Sequence, residues 1–199
     1  MGTGALILFA AVQATMILAG LRAGERPHAR EWTGLALALG GLVYLVSPGL
    51  TAPSLAGSGL MAVAGVAWGA YSLHGRGSAN PVTATAGNFL RAVPPVVIVS
   101  AAFFPARHLS LRGLVLAVLS GAIASGLGYV IWYTALRGLT ATRAAIVQLA
   151  VPVLAAAAGV LFLSESVSLR LLLSAVAILA GVGLAVLGRG TATGHRKAS

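Results

Sequence analysis

Seven apolar stretches follow one another along the chain, and short segments between them hold most of its charged residues. A helix needs about 17 to 25 mostly apolar residues to cross the hydrocarbon core of a bilayer. The stretches are close to that length and lack the strict alternation of a membrane β-strand. The pattern predicts an all-α, polytopic membrane helix bundle with about seven transmembrane helices. The predicted helices are Thr3–Leu21, Trp32–Ser47, Ala56–Leu73, Val82–Phe104, Leu111–Ala135, Thr142–Leu163 and Leu169–Leu187.

Two segments of the chain share one plan at an offset of 140 residues, Met1–Pro48 and Ala141–Gly188. Each has an apolar stretch, a short loop with a glutamate (Glu25 or Glu165), and a stretch rich in glycine, alanine and leucine. Five apolar stretches separate the two starts, and five is odd. The copies must therefore cross a bilayer in opposite directions, which predicts a partial inverted repeat of the kind many transporters contain.

Composition agrees with a membrane protein, because 58% of the residues are hydrophobic, 8% are charged and the mean hydropathy is +0.96. The net charge of +10 comes from basic residues scattered between apolar stretches. They form no continuous surface for phosphates, so nucleic acid is not an expected partner. The chain has no cysteine and its four histidines have no regular spacing, so we expect no metal, no cofactor and no enzymatic activity.

The distribution of basic residues predicts the orientation. One set of loops and termini contains Arg22, Arg26, Arg30, Arg76, Arg137, Arg143, Arg189, Arg196 and Lys197. The opposite set contains Arg107, Arg112 and Arg170. Cytoplasmic loops carry the excess of basic residues. We therefore expect an inner-membrane protein with its N-terminus outside and its C-terminus in the cytoplasm.

Several motifs resemble the EamA-type transporters of the drug/metabolite transporter superfamily. They are Gln148-Leu-Ala-Val-Pro152-Val, Leu163-Ser-Glu165-Ser166-Val-Ser168, Ala180-Gly181-Val-Gly183, and Gly24-Glu25-Arg26-Pro27 followed by Gly34 and Gly40-Gly41. The chain departs from the pattern where Val12-Gln13 corresponds to Pro152-Val153, and where Ser164 replaces a glycine.

The resemblance implies ten helices arranged as five plus five, of which this chain has helices four to ten and lacks the first three. Residues 1–50 would be the end of the first repeat, 51–188 the second repeat, and 189–199 a cytoplasmic tail.

Arg91 is the one charged residue near the middle of a predicted span, where a charge is costly and usually faces a cavity or a partner. Thr85, Asn88 and Arg91 share a helical face, which could hold an anionic group. Alternatively, Arg91 extends to the surface or binds carbonyls that Pro94 and Pro95 free. The two prolines predict a kink, which would also suit a gate.

Aromatic and amide side chains complete the candidate substrate site. Trp68 and Tyr71 share a face, as do Tyr129, Trp132 and Tyr133, and their rings could grip amino or aromatic groups. The alternative is an interfacial aromatic belt. Gln148 could orient a substrate beside a kink at Pro152, or form an interhelical hydrogen bond.

Small residues predict where helices pack closely, at Gly65 and Gly69 and at Gly121, Ser125, Gly126 and Gly128. Glu25 and Glu165, in loops at opposite faces, are expected to cap helices or to pair locally with Arg26 or Arg170, and the alternative is a role in gating.

These features predict a transporter of a small metabolite, such as an amino acid or a drug-like solute, that works by alternating access. The expected partners are the substrate and the lipid bilayer. The rival interpretation is a truncated or non-transporting membrane protein that packs with another chain, either a second copy or one that supplies missing helices.

Overall fold

The computed structural model describes residues 2–47, 53–102 and 110–187, and within these ranges every regular element is helical. The elements are α1 (Gly2–Arg22), α2 (Ala29–Val46), α3 (Leu55–Arg76), α4 (Pro81–Ala102), α5 (Leu111–Val118), a π-helical segment (Leu119–Leu127), α6 (Gly128–Leu136), α7 (Ala141–Gln148), α8 (Val151–Leu163) and α9 (Leu169–Leu187). The predicted all-α class is confirmed. The predicted tail, residues 189–199, lies outside the described residues.

Five helices of the described chain are long and apolar enough to cross a membrane: Thr3–Arg22, Pro81–Ala102, Leu111–Leu136, Ala141–Leu163 and Leu169–Leu187. The other two predicted spans are also helices, α2 and α3, but they are not among these five. Because these lengths match the thickness of the hydrocarbon core, the protein is a multi-pass membrane protein.

Two predicted spans have internal irregularities that the apolar pattern did not show. The helix from Leu111 to Leu136 contains the π-helical segment at its centre. The helix from Ala141 to Leu163 is interrupted after Gln148, and Pro152 then occupies the first turn of α8. A proline fits the first turn of a helix, because a backbone N–H at that position would have no hydrogen-bond acceptor within the helix. By contrast, α4 remains helical through Pro94 and Pro95.

The chain divides into two compact units, one formed by Met1–Ala70 and Thr140–Ser199 and the other by Tyr71–Leu139. In the first unit, α2 and α9 run antiparallel in close contact. Gly41 packs against Ile178, and Gly181 packs against Ala38. A Cβ on Gly41 would lie 2.9 Å from Ile178 Cγ1, so glycine is needed for this approach. Small residues let membrane helices come this close, since van der Waals contact drives their association.

Helix α1 contacts both α7 and the first part of α3 in the same unit. Gly65 packs against Leu8 and Ala11, and Gly69 packs against Thr15, so α3 runs parallel to α1. The predicted packing role of Gly65 and Gly69 is confirmed. A Cβ added to Gly121 or to Gly128 would meet no neighbouring helix of the described chain within 4 Å. The described residues therefore give these two glycines no packing role.

The α1 and α8 helices end in the same way at the 140-residue offset. Gly24 has φ 86° and Ser164 has φ 55°, both in the left-handed region, and a glutamate follows each. A helix commonly ends in this conformation, which favours glycine because it has no Cβ. Ser164 therefore occupies a position whose backbone suits glycine, which explains why the resemblance puts a glycine there.

The second unit contains Tyr71–Arg76 of α3, α4, and the helix from α5 to α6. Asn80 caps α4, because its Oδ1 accepts hydrogen bonds from the backbone N–H groups of Val82 and Thr83. Arg137 Nη2 donates to the carbonyls of Ser78 and Ala79, which ties the end of α6 to the turn before α4.

Candidate functional site

Four aromatic rings meet in the second unit, from α3, α4 and α6, and we call Tyr71, Phe89, Tyr129 and Tyr133 the aromatic cluster. The ring centroids of Tyr71 and Tyr129 are 5.2 Å apart with planes at 71°. Tyr71 and Tyr133 are 4.9 Å apart, and Phe89 and Tyr129 are 6.1 Å apart. These separations fall in the range of favourable edge-to-face and tilted ring pairs. The cluster therefore joins three helices through ring contacts.

A partly buried chain of hydrogen bonds runs through the same cluster. Asn88 Nδ2 donates to the Tyr133 hydroxyl at 3.1 Å, and that hydroxyl donates to the Tyr71 carbonyl at 3.2 Å. The Tyr133 side chain is fully buried and its ring packs directly on Gly75. A hydrogen bond of 3.2 Å, from Trp132 Nε1 to the Ser72 hydroxyl, lies beside it. Polar groups in apolar surroundings need such partners, so these bonds fix how the rings are oriented.

The three polar residues predicted to share a face of α4 differ in their surroundings. Asn88 joins the aromatic cluster through Tyr133. Thr85, one turn earlier, is buried, and its hydroxyl has no hydrogen-bond partner among the described residues. Arg91 is exposed, and its guanidinium lies back along α4 beside Gly87. Thr85 is thus buried, Asn88 is half-buried and Arg91 is exposed.

The remaining predicted contacts, Trp68 and Gln148, belong to the first unit. Gln148 is buried, and its Nε2 donates a hydrogen bond to Met16 Sδ on α1 at 2.9 Å. This is the interhelical hydrogen bond that the sequence offered as the alternative to a substrate contact. Gln13 Nε2 on α1 donates to the Ala145 carbonyl on α7 at 2.7 Å. Trp68 Nε1 is buried and has no hydrogen-bond partner among the described residues.

The start of α7 is held by two carboxylates from the α1–α2 region, and we call this arrangement the α7 anchor. Glu25 Oε1 accepts from the Ala141 N–H at 2.7 Å, and Glu25 Oε2 accepts from the Thr142 N–H and hydroxyl at 3.2 and 3.3 Å. Arg143 Nε pairs with Glu31 Oε1 at 2.7 Å. A carboxylate is favourable at a helix N-terminus because it satisfies free N–H groups and the helix dipole. The predicted capping role of Glu25 is confirmed, with a partner helix 116 residues away in sequence.

The sequence does not single out Phe89 as a member of the aromatic cluster, and it places Tyr133 on a face with Tyr129 without indicating its central position. The available signal was the adjacency of Phe89 to Asn88 and the position of Tyr133 four residues after Tyr129, one helical turn away. The pairing of Asn88 with Tyr133 spans 45 residues and could not be read from local spacing.

A comparison with known proteins identifies the family of the chain. Residues 55–187, which include the aromatic cluster, α8 and α9, match the EamA-like transporter family. The chain belongs to the EamA-like transporter family. The match agrees with the resemblance noted in the sequence and establishes a transporter family, without naming a substrate.

Individual relatives share most of the chain. An uncharacterized protein of Pseudomonas aeruginosa is 52% identical over 183 residues, which cover 92% of this chain and 64% of that protein. An uncharacterized transporter of Archaeoglobus fulgidus is 28% identical, over 94% of this chain and 66% of its own length. A crystal structure with 20% identity has a TM-score of 0.81, over 94% of this chain and 67% of the other, and shows the shared fold. The chain spans about two thirds of the length of these relatives.

Proposed function

We propose that the protein is an inner-membrane transporter of a small metabolite, an amino acid or a related or drug-like solute, and that it works by alternating access. The observation that carries the proposal is the hydrogen bond that joins the half-buried Asn88 to the aromatic cluster, in a chain of a transporter family. Polar groups inside apolar helices are costly and commonly mark a substrate path.

The side chains of the second unit suit an amphipathic solute. Tyr71 and Tyr129 offer ring faces to an ammonium or aromatic group. The Thr85 hydroxyl, which has no partner among the described residues, is available to donate or accept a hydrogen bond. Asn88 orients the cluster through Tyr133.

Trp68 and Gln148 are further candidate contacts in the first unit, and Arg91 remains a candidate for an acidic group of the substrate. Pro94, Pro95 and Pro152 are candidate positions for a kink or gate.

The inverted repeat supplies the proposed mechanism. Residues 1–50 would be the end of the first repeat and residues 51–188 the second. Inverted repeats of this kind move against each other around a site near the middle of the bilayer. With the N-terminus outside and the C-terminus in the cytoplasm, the α7 anchor would lie at the cytoplasmic end, where basic residues accumulate.

Untargeted metabolite profiling tests the proposal without knowing the substrate. Cells that express the protein are compared with cells that express Tyr129→Ala, and with cells that express Ile131→Ala as a control. Ile131 is on the same helix and 69% exposed. We expect at least one solute whose ratio of medium to cell content depends on the wild type, is lost in Tyr129→Ala and is kept in Ile131→Ala. Identical profiles for the wild type and an empty-vector strain would overturn transport by this chain.

The second candidate function is that of a non-transporting subunit that packs with another chain. The observation that favours it is that the chain spans only 64% of the Pseudomonas relative. Profiles identical to the empty vector, combined with recovery of the protein in a stable complex with a second polypeptide, would support this alternative.

A further inference from the structure

The segment that joins α1 to α2, residues 22–31, has both of its carboxylates engaged by α7. Glu25 accepts three hydrogen bonds, from the N–H groups of Ala141 and Thr142 and from the Thr142 hydroxyl. Glu31 is 6% exposed, and its carboxylate pairs with Arg143 at 2.7 Å. Both glutamates of the segment are therefore spent within the α7 anchor, and little of their negative charge is displayed at the surface.

The arginines of the same segment remain at the surface, and we call Arg22, Arg26 and Arg30 the arginine face. Arg22 is the last residue of α1, Arg26 lies in the loop, and Arg30 is the second residue of α2. All three are exposed, and among the described residues no ion pair of their side chains is found. Three arginines and two glutamates give the segment a formal charge of only +1, but the fold displays the three positive charges and withholds the two negative ones.

The arginine face lies where lipid headgroups are expected. Arg22 ends a helix that is long and apolar enough to cross a membrane. Trp32, one turn into α2, is 45% exposed, and tryptophan is enriched at the level of the headgroups. The loop arginines and this ring therefore occupy the polar boundary of the bilayer, which contains the phosphate groups of the lipids.

The position of Arg30 gives an independent reason to expect an anion. A cation in the first turn of a helix is unfavourable, because the N-terminal end of the helix dipole is positive. The acidic residue of that turn, Glu31, is already paired with Arg143. A phosphate beside Arg30 would meet both the guanidinium charge and the positive end of α2.

We propose that Arg22, Arg26 and Arg30 bind the headgroup phosphate of an anionic phospholipid. Anionic lipids attract basic residues close to the membrane surface, and a guanidinium group binds a phosphate through paired hydrogen bonds. The bound lipid belongs to the bilayer around the protein and is not a transported solute. The proposal therefore holds whether or not the protein transports anything.

The α8–α9 loop provides a matched control. Arg170 is the second residue of α9 and is exposed, as Arg30 is on α2. The positions that correspond to Arg22 and Arg26 at the 140-residue offset are Phe162 and Ser166, and the glutamate of this loop is exposed. Arg170→Gln thus removes the same charge from the same helix position, but from a segment with no further arginine.

Native mass spectrometry of the detergent-purified full chain tests the proposal by measuring the binding of single lipids. Phosphatidylglycerol, which is anionic, and phosphatidylcholine, which is zwitterionic, are titrated with identical acyl chains. The proteins compared are the wild type, Arg26→Gln, Arg30→Gln and Arg170→Gln, and circular dichroism shows that each is folded. We expect the wild type to bind phosphatidylglycerol about tenfold more tightly than phosphatidylcholine. Arg26→Gln and Arg30→Gln should each weaken phosphatidylglycerol binding about fivefold, the factor for one arginine near an anionic surface, and Arg170→Gln should leave it unchanged.

Three results would overturn the proposal. The first is equal affinity of the wild type for the two lipids, and the second is an equal loss of binding in Arg30→Gln and Arg170→Gln. The third is displacement of phosphatidylglycerol by an equal concentration of glycerol 3-phosphate, which has the phosphate but no acyl chains. That displacement would assign the arginine face to a soluble phosphate compound.

Discussion

Replacing Glu25 with alanine removes the carboxylate that holds the start of α7. Its two oxygens accept three hydrogen bonds, from the N–H groups of Ala141 and Thr142 and from the Thr142 hydroxyl, at 2.7 to 3.3 Å. Glu165 is its counterpart at the 140-residue offset. Among the described residues no hydrogen bond or ion pair of the Glu165 carboxylate is found, and the residue is exposed. The two glutamates therefore form a matched pair for one experiment.

The expected size of the effect follows from the geometry. A hydrogen bond to a charged group contributes about 1.5 to 3 kcal/mol net, and bonds that share one carboxylate do not add fully. The favourable interaction with the dipole of α7 contributes about 0.3 to 1 kcal/mol. We expect Glu25→Ala to lower the free energy of unfolding by about 2 to 3 kcal/mol. For a chain of this length that corresponds to a fall of roughly 5 to 10 °C in Tm.

Thermal unfolding of the detergent-purified protein measures this directly. Tm is compared for the wild type, Glu25→Ala and Glu165→Ala, with circular dichroism at room temperature to show that each variant folds. Glu165→Ala should unfold close to the wild type. Equal losses in the two variants, or a Tm for Glu25→Ala that matches the wild type, would refute the stabilising role of Glu25 in the α7 anchor.

Three further predictions test the backbone, the packing and the candidate site. Ser164→Gly should raise the stability by roughly 0.5 to 1 kcal/mol, because a left-handed residue with a Cβ is strained; a lower Tm would contradict this. Gly41→Ala should cost about 1 to 3 kcal/mol, because the new Cβ meets Ile178, whereas Gly40→Ala should cost nothing, since its Cβ meets no described atom. Equal unfolding temperatures for these two variants would refute the packing argument. Arg91→Ala should abolish the solute transport found by metabolite profiling while leaving membrane insertion unchanged, and unchanged transport would exclude Arg91 as a substrate contact.

The helices were predictable because a membrane-spanning helix must satisfy its own backbone hydrogen bonds within a fixed thickness of hydrocarbon. The predicted span Val82–Phe104 corresponds to α4, Pro81–Ala102, and Leu169–Leu187 corresponds to α9. The break after Gln148 and the π-helical segment at Leu119–Leu127 did not appear in the apolar pattern. Both leave the run of apolar residues intact, so hydropathy carries no signal for them.

Close approach between helices was only partly predictable. Small residues correctly indicated packing at Gly65 and Gly69, but Gly121 and Gly128, which were predicted to pack in the same way, have no packing partner in the described chain. A small residue permits a neighbour without specifying one. Which glycine faces a helix depends on how the helix is rotated, and that is a property of the assembled bundle.

The sequence by itself determined the all-helical membrane class, the family resemblance and the 140-residue repeat, because these depend on local hydropathy and on motifs within a few residues. Only the tertiary structure decided that Asn88 bonds to Tyr133 and that Glu25 holds α7. It also decided that Gly65 and Gly69 of α3 pack against Ala11 and Thr15 of α1, whereas Val151 and Ala155, 140 residues later, are exposed. These facts join residues that are distant along the chain, and the energy of such contacts depends on distances and burial that exist only after the helices have packed.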